Sequence, residues 1–362
     1  MTVSPFDHPI LSGLLGDEDV SRAFSIDAEV DAMLRFEVAL AEAEAEEGVI
    51  PAVAAKTIAK ALGRFRPDVA RLRIGMGRDG VAVPDLVAQM HAAIGEPHGR
   101  HVHFGATSQD VVDTALALRI APLLDGFGAL LDGLTAALKA LQARDGKLIV
   151  MAHTRMQAAI PVPASRKIAS WREPLLRHRA RLVAVRKAIT VLHFGGAAGT
   201  LDKLKPSEAR AVSKRVADML ALTPLRSARH SERDGIAELS SWLSLVTGSL
   251  GKLGQDVALA AQSEVGDIVL SSGGGSSAMP HKRNPVAAEA LVALARFNAT
   301  LLSGVHQALV HENERSGGAW TLEWMLLPQM LAATGAALRL AGGLVPQISF
   351  REIGKNQSPA TR

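Results

Sequence analysis

The chain has 362 residues, of which 48% are hydrophobic and 21% are charged, so we predict a packed globular protein rather than a disordered one. It contains no cysteine, which excludes disulfides, thiolate zinc sites and cysteine nucleophiles. The formal net charge of +4 is spread along the chain, and this mild excess is compatible with an anionic substrate.

The sequence gives no sign of a membrane or a nucleic-acid partner. The N-terminal stretch MTVSPFDHPI lacks a charged region followed by an apolar run, and no uncharged apolar run approaches the roughly 18 residues of a membrane helix. The basic segment RHRARLVAVRK contains no aromatic residue that would stack on bases. We therefore expect a soluble, cytoplasmic protein with neither kind of partner.

The first elements are helical. A helical pattern runs from about Asp27 to Glu47 and ends at a glycine and a proline, which stop helices. Shorter helices are predicted between Pro51 and Ile94, interrupted by RFRPD and by GMGRDGVAVP. The turn-rich segment from Ile94 to Asp110 is predicted to close a first, smaller domain.

Two longer helices follow, each marked by apolar residues at heptad-like spacing. The first seam is Leu116, Ile120, Leu123, Phe127, Leu130, Leu134 and Leu141, and the second is Ile236, Leu239, Leu243, Val246, Leu250, Leu253 and Val257. Further helices are predicted at Val162–Thr190, Pro206–Leu220, Val286–Glu312 and Leu322–Leu340. The pattern indicates an all-α protein with an N-terminal helical domain over 1–105, a central long-helix bundle over 106–345 and a short C-terminal tail over 346–362.

Three non-helical segments interrupt this bundle, and they contain the candidate binding groups. HFGATSQD includes Thr107, Ser108 and Gln109, and AHTRMQAAIPVP includes Thr154 and Gln157. Hydroxyl and amide groups of this kind bind carboxylates through neutral hydrogen bonds, so we consider all five as substrate-binding residues. The alternative for the first segment is helix capping by Ser108 or Asp110.

The third segment, SSGGGSSAMPHKRNP, is the most unusual in the chain. Its three consecutive glycines permit backbone conformations that aim several N–H groups at one point, which predicts an anion-binding nest. Lys282 and Arg283 add positive charge, and Asn284 adds an amide donor before the next helix. A solvated linker is the alternative, but it would not require Met279 and Pro280 beside the charges.

This last segment resembles a family signature. GSSAMPHKRNP is similar to the GSSxMPxKxNP loop of the fumarase/aspartase superfamily, and the other two segments resemble its remaining signatures in the right order. GVAVPDLV, VHFGATSQDVVDTA and HENERSGGAWTLEWMLLP are similar to segments of the 3-carboxy-cis,cis-muconate cycloisomerase family within it. The resemblance implies an all-α homotetramer whose active sites are each assembled from loops of three subunits.

The same resemblance implies the fold and the chemistry. It implies a fumarase/aspartase-like fold, here with a truncated C-terminal domain, and a reaction that needs neither a metal nor another cofactor. The family's catalytic hydroxyl corresponds to Ser276, which would exchange the carbon-bound proton. Lys282 would act with it, and Asn284 would help to hold the adjacent carboxylate of a small tricarboxylate. His281 would support the loop.

The second loop departs from the pattern of the superfamily's lyases. Those enzymes have RTHxQxxxP, with the histidine acting as acid or base, whereas Arg155 stands at the corresponding position here. Arginine stays protonated and cannot shuttle protons, which suits a reaction in which the substrate's own carboxylate attacks. Glu289 matches the carboxylate that orients the family histidine, and we predict that it pairs with Arg155.

Two further residues are candidates for binding the anionic substrate. Arg315 is predicted to bind a second carboxylate, with a surface position at a helix end as the alternative. His153 stands where the superfamily usually has arginine and would add positive charge only when protonated.

Taken with the resemblance, these residues predict a cycloisomerase that interconverts 3-carboxy-cis,cis-muconate and a carboxymuconolactone in protocatechuate degradation, the β-ketoadipate pathway. Two alternatives remain open at this point. One is a fumarate-eliminating lyase such as adenylosuccinate lyase, and the other is a catalytically silent bundle protein.

Overall fold

The fold is described from a computed structural model, which describes residues 3–275, 278–279 and 282–353 of the chain. Helices dominate it, and the strands are short, so the all-α prediction is confirmed. The residues of the third loop that lie outside the described ranges are Ser276, Ser277, Pro280 and His281.

Six helices form the N-terminal part of the chain. They are α1 (Ser12–Leu15), α2 (Glu18–Ala23), α3 (Ile26–Glu46), α4 (Ala52–Leu62), α5 (Val69–Asp79) and α6 (Val83–Ile94). Ser25 caps α3 by accepting a hydrogen bond from the Ala28 N–H, and α5 ends at Gly80, which adopts a left-handed conformation with φ 73°. The predicted break over GMGRDGVAVP is therefore too long, because α5 continues through its first half before this glycine stops it.

Six further helices complete the chain. They are α7 (Ser108–Asp145), α8 (Ala164–Ile189), α9 (Pro206–Leu220), α10 (Asp234–Ala260), α11 (Val286–Gln307) and α12 (Gly318–Leu344). The heptad-like seams are confirmed, because Ile120, Leu134, Leu243 and Leu250 are buried in one core. In that core α10 lies along both α8 and α11, and α7 packs against α8 and α12.

The short strands pair locally at the ends of the helices. β1 (Ile149–Thr154) and β2 (Gln157–Pro163) form an antiparallel hairpin, while β3 (Val191–Leu192) and β4 (Thr223–Pro224) form a parallel pair. β5 (Ile268–Leu270) is antiparallel to β6 (Ile348–Phe350), so the segment just before the third loop is held by the last described residues.

Two separate hydrophobic cores underlie this arrangement. The first lies within the long helices and includes two completely or almost completely buried tryptophans, Trp171 and Trp242. The second lies among α3, α4, α6 and the start of α7, and it also takes in Val212 and Val216 of α9. The division of the chain at residues 105 and 345 remains a prediction.

Two of the described helices, α7 and α11, are long and apolar enough by length and composition to cross a bilayer. The apolar window of α7 is 56% buried inside the chain, as expected for the central helix of a bundle. The window of α11 is only 28% buried, so this helix leaves apolar surface without cover in the single chain.

Candidate active site

The first signature loop ends where α7 begins. Thr107 is the residue before the helix, and its N–H donates to the Asp110 carboxylate at 3.0 Å. The N-cap residue is thus Thr107 rather than Ser108, which is the first residue of the helix, and Asp110 completes a capping box with Thr107. Thr107 and Ser108 are half-buried, a position from which their hydroxyls can still reach a ligand.

Asp110 connects this loop to a second one that we did not predict. Its carboxylate accepts hydrogen bonds from the N–H groups of Gly195 and Gly196, each at 2.9 Å, and from His230 Nε2 at 2.7 Å. The segment FGGAAGT, residues 194–200, is therefore part of the site. Three glycines in a short connection between two helices were the signal for it in the sequence.

The glycine segment comes too close to the first loop for a side chain. A Cβ built on Gly196 would lie 2.8 Å from the Gly105 carbonyl oxygen, and Gly196 itself has a positive φ of 68°. Glycine is required here for both reasons, and the two loops consequently form one continuous wall.

Arg315 holds the other edge of this segment. Its side chain is exposed, and Nη2 donates to the carbonyl of Ala197 at 3.0 Å and more weakly to that of Gly196 at 3.4 Å. The side chain thus lies at the surface beside the glycine segment. Both alternatives for Arg315, a ligand-binding cation and a surface residue, are compatible with this position.

Gln109 differs from its neighbours because it is completely buried. Its amide nitrogen donates to the Asp113 carboxylate at 3.1 Å and to the His230 carbonyl at 2.8 Å. From this position its amide supports the wall from behind.

Behind the wall lies a buried charge network that joins three helices. Arg233, only 4% exposed, donates to Asp113 on α7 at 2.6 Å and to Glu323 on α12 at 2.6 Å. Trp320 Nε1 also donates to Asp113, at 3.1 Å. Burial opposes ionisation of Asp113, yet the Arg233 guanidinium beside it holds the pKa of that carboxyl below its usual value. The network therefore holds the N-terminal end of α7 against the N-terminal ends of α10 and α12.

The second signature loop is the turn of the β1–β2 hairpin. Arg155 and Met156 occupy the two turn positions with φ 48° and 66°, as a tight two-residue hairpin turn requires. The predicted site residues His153, Thr154, Arg155 and Gln157 are all exposed on it. The hairpin therefore presents these side chains outwards from the bundle.

The hairpin lies near the root of the third loop. His153 Nδ1 is 4.0 Å from the Asp267 carboxylate, and Lys167 Nζ is 3.3 Å from the same group. Asp267 directly precedes β5, which leads into the third loop. These two signatures thus belong to one end of the bundle.

The described part of the third loop has a narrow neck. Gly274 and Asn284 exchange both backbone hydrogen bonds, each at 2.9 Å. Lys282 is exposed, and its side chain has no partner among the described residues. Ser276 and His281, which we assigned to catalysis and to support, lie outside those residues.

The predicted glycine nest is wrong for the part of this loop that the structure describes. Gly273, Gly274 and Gly275 all lack a positive φ, and the Gly274 N–H is already used by Asn284. Gly273 and Gly274 permit close approach instead, because a Cβ on Gly273 would lie 3.1 Å from the Asn284 carbonyl oxygen and one on Gly274 would lie 2.5 Å from a methyl group of Val286. A side chain at Gly274 would push the two sides of the neck apart.

The predicted ion pair between Arg155 and Glu289 does not form within one chain. Glu289 is exposed in the first turn of α11, and neither it nor Arg155 has an ion-pair partner in the part of the chain that the structure describes. Both side chains are free to meet a group from outside this chain.

The predicted site residues fall into two groups at opposite ends of the bundle. α7 has 38 residues, so at 1.5 Å per residue it separates Thr107 from the start of the hairpin by about 57 Å. Thr107, Ser108 and Arg315 lie at one end, while Arg155, Lys282 and Asn284 lie at the other. One end offers hydroxyl and backbone groups together with Arg315, and the other offers Arg155 and Lys282; such donors and cations are suited to a polyanionic ligand.

Comparison with known proteins agrees with this arrangement. A family model described as lyase matches residues 17–297. The 3-carboxy-cis,cis-muconate cycloisomerase of Bradyrhizobium diazoefficiens is 38% identical over 336 residues, which cover 91% of this chain and 74% of that protein. The enzyme of the same name from Pseudomonas aeruginosa is 38% identical over 328 residues, covering 89% of this chain and 71% of its own.

A solved structure gives the same result in three dimensions. The 3-carboxy-cis,cis-muconate lactonizing enzyme from Pseudomonas putida superposes with a TM-score of 0.87 at 36% identity, covering 94% of this chain and 77% of that one. Sequence and structure thus agree over most of the chain. The chain belongs to the lyase family of the fumarase/aspartase superfamily, in the branch of the 3-carboxy-cis,cis-muconate cycloisomerases.

Proposed function

We propose that the protein is a cytoplasmic cycloisomerase that converts 3-carboxy-cis,cis-muconate into a carboxymuconolactone without a cofactor, at active sites shared between subunits of a homotetramer. The observation that supports the shared site most strongly is the separation of the candidate residues. Groups about 57 Å apart along α7 cannot act on one small tricarboxylate, so a second copy must bring its opposite end to complete each site.

An antiparallel arrangement of two bundles satisfies this requirement. It places the Thr107 end of one chain beside the Lys282 end of another, and the two-fold symmetry makes two such sites at once. The uncovered apolar surface of α11 supports the same arrangement, because long helices with exposed apolar faces pack against helices of other chains.

The reaction requires one bond closure and one protonation. A carboxylate oxygen of the substrate attacks an alkene carbon and forms the C–O bond of the lactone. The π electrons move to the neighbouring carbon, next to another carboxylate, which becomes an aci-carboxylate with additional negative charge. A proton then adds to that carbon. Ser276 supplies it in this scheme and is reprotonated from solvent.

The cationic end of the bundle is suited to the charge that develops in this step. Lys282 and Asn284 would stabilise the aci-carboxylate, since preorganised donors act on charge that appears in the transition state. Arg155 would hold the attacking carboxylate. This carboxylate reacts as an anion, so it needs no proton donor at that position. Thr107, Ser108 and Arg315 of another subunit would bind the remaining carboxylates, and Thr154 and Gln157 would complete the hairpin side.

The reaction class can be tested directly. Purified protein is mixed with 3-carboxy-cis,cis-muconate without metal or nucleotide, and the conjugated-diene absorbance is followed while the product is identified. We expect loss of the diene with a lactone as the product. If the diene persists and adenylosuccinate is cleaved instead, the protein is a fumarate-eliminating lyase, and silence with both substrates would favour the catalytically silent alternative.

Two further measurements test the details of the site. Size-exclusion chromatography with light scattering should show a tetramer, and an active monomer would contradict the shared site. Arg155→His should retain activity only at acidic pH, because histidine loses its charge above a pKa of about 6.5 whereas arginine does not. If the activity of Arg155→His were as independent of pH as that of the wild type, the reaction would not require a permanent cation at this position.

A further inference from the structure

We propose that His230 is a positioning residue of the reaction, which acts through Asp110 to fix the two loops that form the Thr107 wall. His230 does not contact the exposed face of that wall. It lies behind it, and its side chain is only 3% exposed. The kinetic part of this inference rests on the proposed function, and the structural part does not.

The Asp110 carboxylate is the point where the two loops meet. Oδ1 accepts from Gly195 N–H and from His230 Nε2, and Oδ2 accepts from Thr107 N–H and from Gly196 N–H. Each oxygen therefore has two donors at 2.7 to 3.0 Å. Three of these donors are backbone groups of the wall, and His230 is the only side-chain donor of the four.

The orientation of His230 is determined from two sides. Its backbone carbonyl accepts from Gln109 Nε2 at 2.8 Å, which ties it to the first turn of α7. Its Nε2 must carry the hydrogen that Asp110 accepts, since a carboxylate donates none. Its Nδ1 is buried without a partner among the described residues, so the bond to Asp110 is the only hydrogen bond of the ring in that part of the chain.

The His230 ring also forms the floor under the glycine segment. A Cβ built on Gly195 would lie 3.0 Å from His230 Cε1, so the ring and the backbone are in direct contact. Two residues further along, Ala197 is exposed and is held on its other edge by Arg315. A shift of the ring would be transmitted to the backbone of the wall, because the segment has no side chains at Gly195 and Gly196 to absorb it.

A second buried histidine provides a matched control. His178 is 4% exposed, so its burial resembles that of His230; its Nε2 is 2.8 Å from Ser249 Oγ, and its Nδ1 is 3.1 Å from Arg181 Nη1. It lies on α8, in the bundle core, and has no contact with either loop. Substitution of His178 is expected to lower the melting temperature without changing the kinetic constants of the folded enzyme.

The test compares His230→Met and His230→Gln with His178→Met in the full-length enzyme. His230→Met fills the space but removes the donor, and we expect kcat/KM to fall about 10- to 100-fold, mainly through KM, since the wall binds substrate. His230→Gln places an amide N–H at a similar position and should stay within about threefold of the wild type. His178→Met should leave both constants unchanged at a temperature where all variants are folded.

Hydrogen exchange measured by mass spectrometry gives a readout that does not depend on activity. We expect His230→Met to accelerate exchange at both residues 103–108 and residues 194–200, and His230→Gln and His178→Met to accelerate neither. Unchanged exchange at these loops in folded His230→Met would overturn the proposal, whether or not the wild type cyclises the substrate. If the wild type is active, an unchanged KM in His230→Met or an equal loss in His230→Gln would overturn it as well.

Discussion

The two ends of the bundle present charge in opposite ways. At the Thr107 end, Arg233 is buried between two carboxylates, and its pKa is raised because the pairing outweighs its burial. At the hairpin end, Arg155 and Lys282 are exposed and have no ion-pair partner among the described residues. Apart from Arg315, which is exposed at the surface, the charges named at the Thr107 end are paired within the chain, whereas the hairpin end keeps Arg155 and Lys282 available.

This difference matches what each end would do in a shared site. A wall that orients an anion has to be rigid, which paired buried charges and a fully bonded carboxylate provide. A group that stabilises charge developing in a transition state has to be uncommitted beforehand. In the proposed site, positioning and stabilisation would come from opposite ends of the bundle, which a second subunit would bring together.

The largest expected effect comes from breaking the paired end. Arg233→Met would leave Asp113 and Glu323 buried without their cation, and we expect it to lower the free energy of unfolding by about 3–5 kcal/mol. Urea denaturation measures this loss. Arg186→Met is the control, because it removes a similar pair with Asp125 at the surface and should cost about 1 kcal/mol or less. If both variants lost the same free energy of unfolding, the buried pairing of Arg233 would be no more important for stability than a surface ion pair.

The second prediction concerns the uncommitted end. Lys282→Met should reduce kcat about 10²- to 10³-fold while leaving the melting temperature unchanged, because the side chain has no partner among the described residues. Lys214→Met, which removes an exposed lysine on α9 paired with Asp218, should change neither quantity. A drop in stability without a drop in kcat would place Lys282 in a structural role.

A pH-dependent effect is expected beneath the first loop. Glu44 is completely buried on α3, and burial, with the nearby Glu37, raises its pKa from 4.5 to about 9. Since the folded-state pKa lies above the unfolded one, stability is fully present below pH 4.5 and is lost as the pH rises towards 9. The slope is at most about 1.4 kcal/mol per pH unit.

Substitution of Glu44 distinguishes its contribution to the pH dependence of stability from the contributions of other titratable groups. Glu44→Gln should remove the fall in unfolding free energy between pH 5 and pH 8, roughly the range that the shifted pKa defines. Glu42→Gln, two residues earlier and exposed on the same helix, should leave the slope as in the wild type. Denaturant titrations at several pH values measure both slopes, and a persistent slope in Glu44→Gln would mean that another group is responsible.

Much of the fold followed from local patterns. The apolar seams identified α7 and α10, and the helix over Pro206–Leu220 is confirmed with the predicted bounds, because periodicity and a proline at the first turn are local signals. The hairpin was seen only as a non-helical loop, since its turn residues are Arg155 and Met156 rather than the usual Asn-Gly pair.

The site was harder to predict than the fold. The loop residues were recognisable by type and by resemblance, but their partners were not, because the bond from Asp110 to Gly195 spans 85 residues of chain. The glycines of the third loop suggested a nest, whereas Gly273 and Gly274 are required by the close approach of Asn284 and Val286. Contacts of this kind depend on tertiary packing, which no window of sequence contains.

Each proposed active site combines opposite ends of different chains, and one subunit-mixing experiment tests this sharing. Lys282→Met and Arg315→Met are each prepared, confirmed to be inactive, and then mixed under conditions that dissociate and reassemble subunits. With random reassembly, roughly a quarter of the sites receive two intact ends, so we predict recovery of about a quarter of wild-type activity. No recovery, although light scattering shows mixed oligomers, would contradict the shared site.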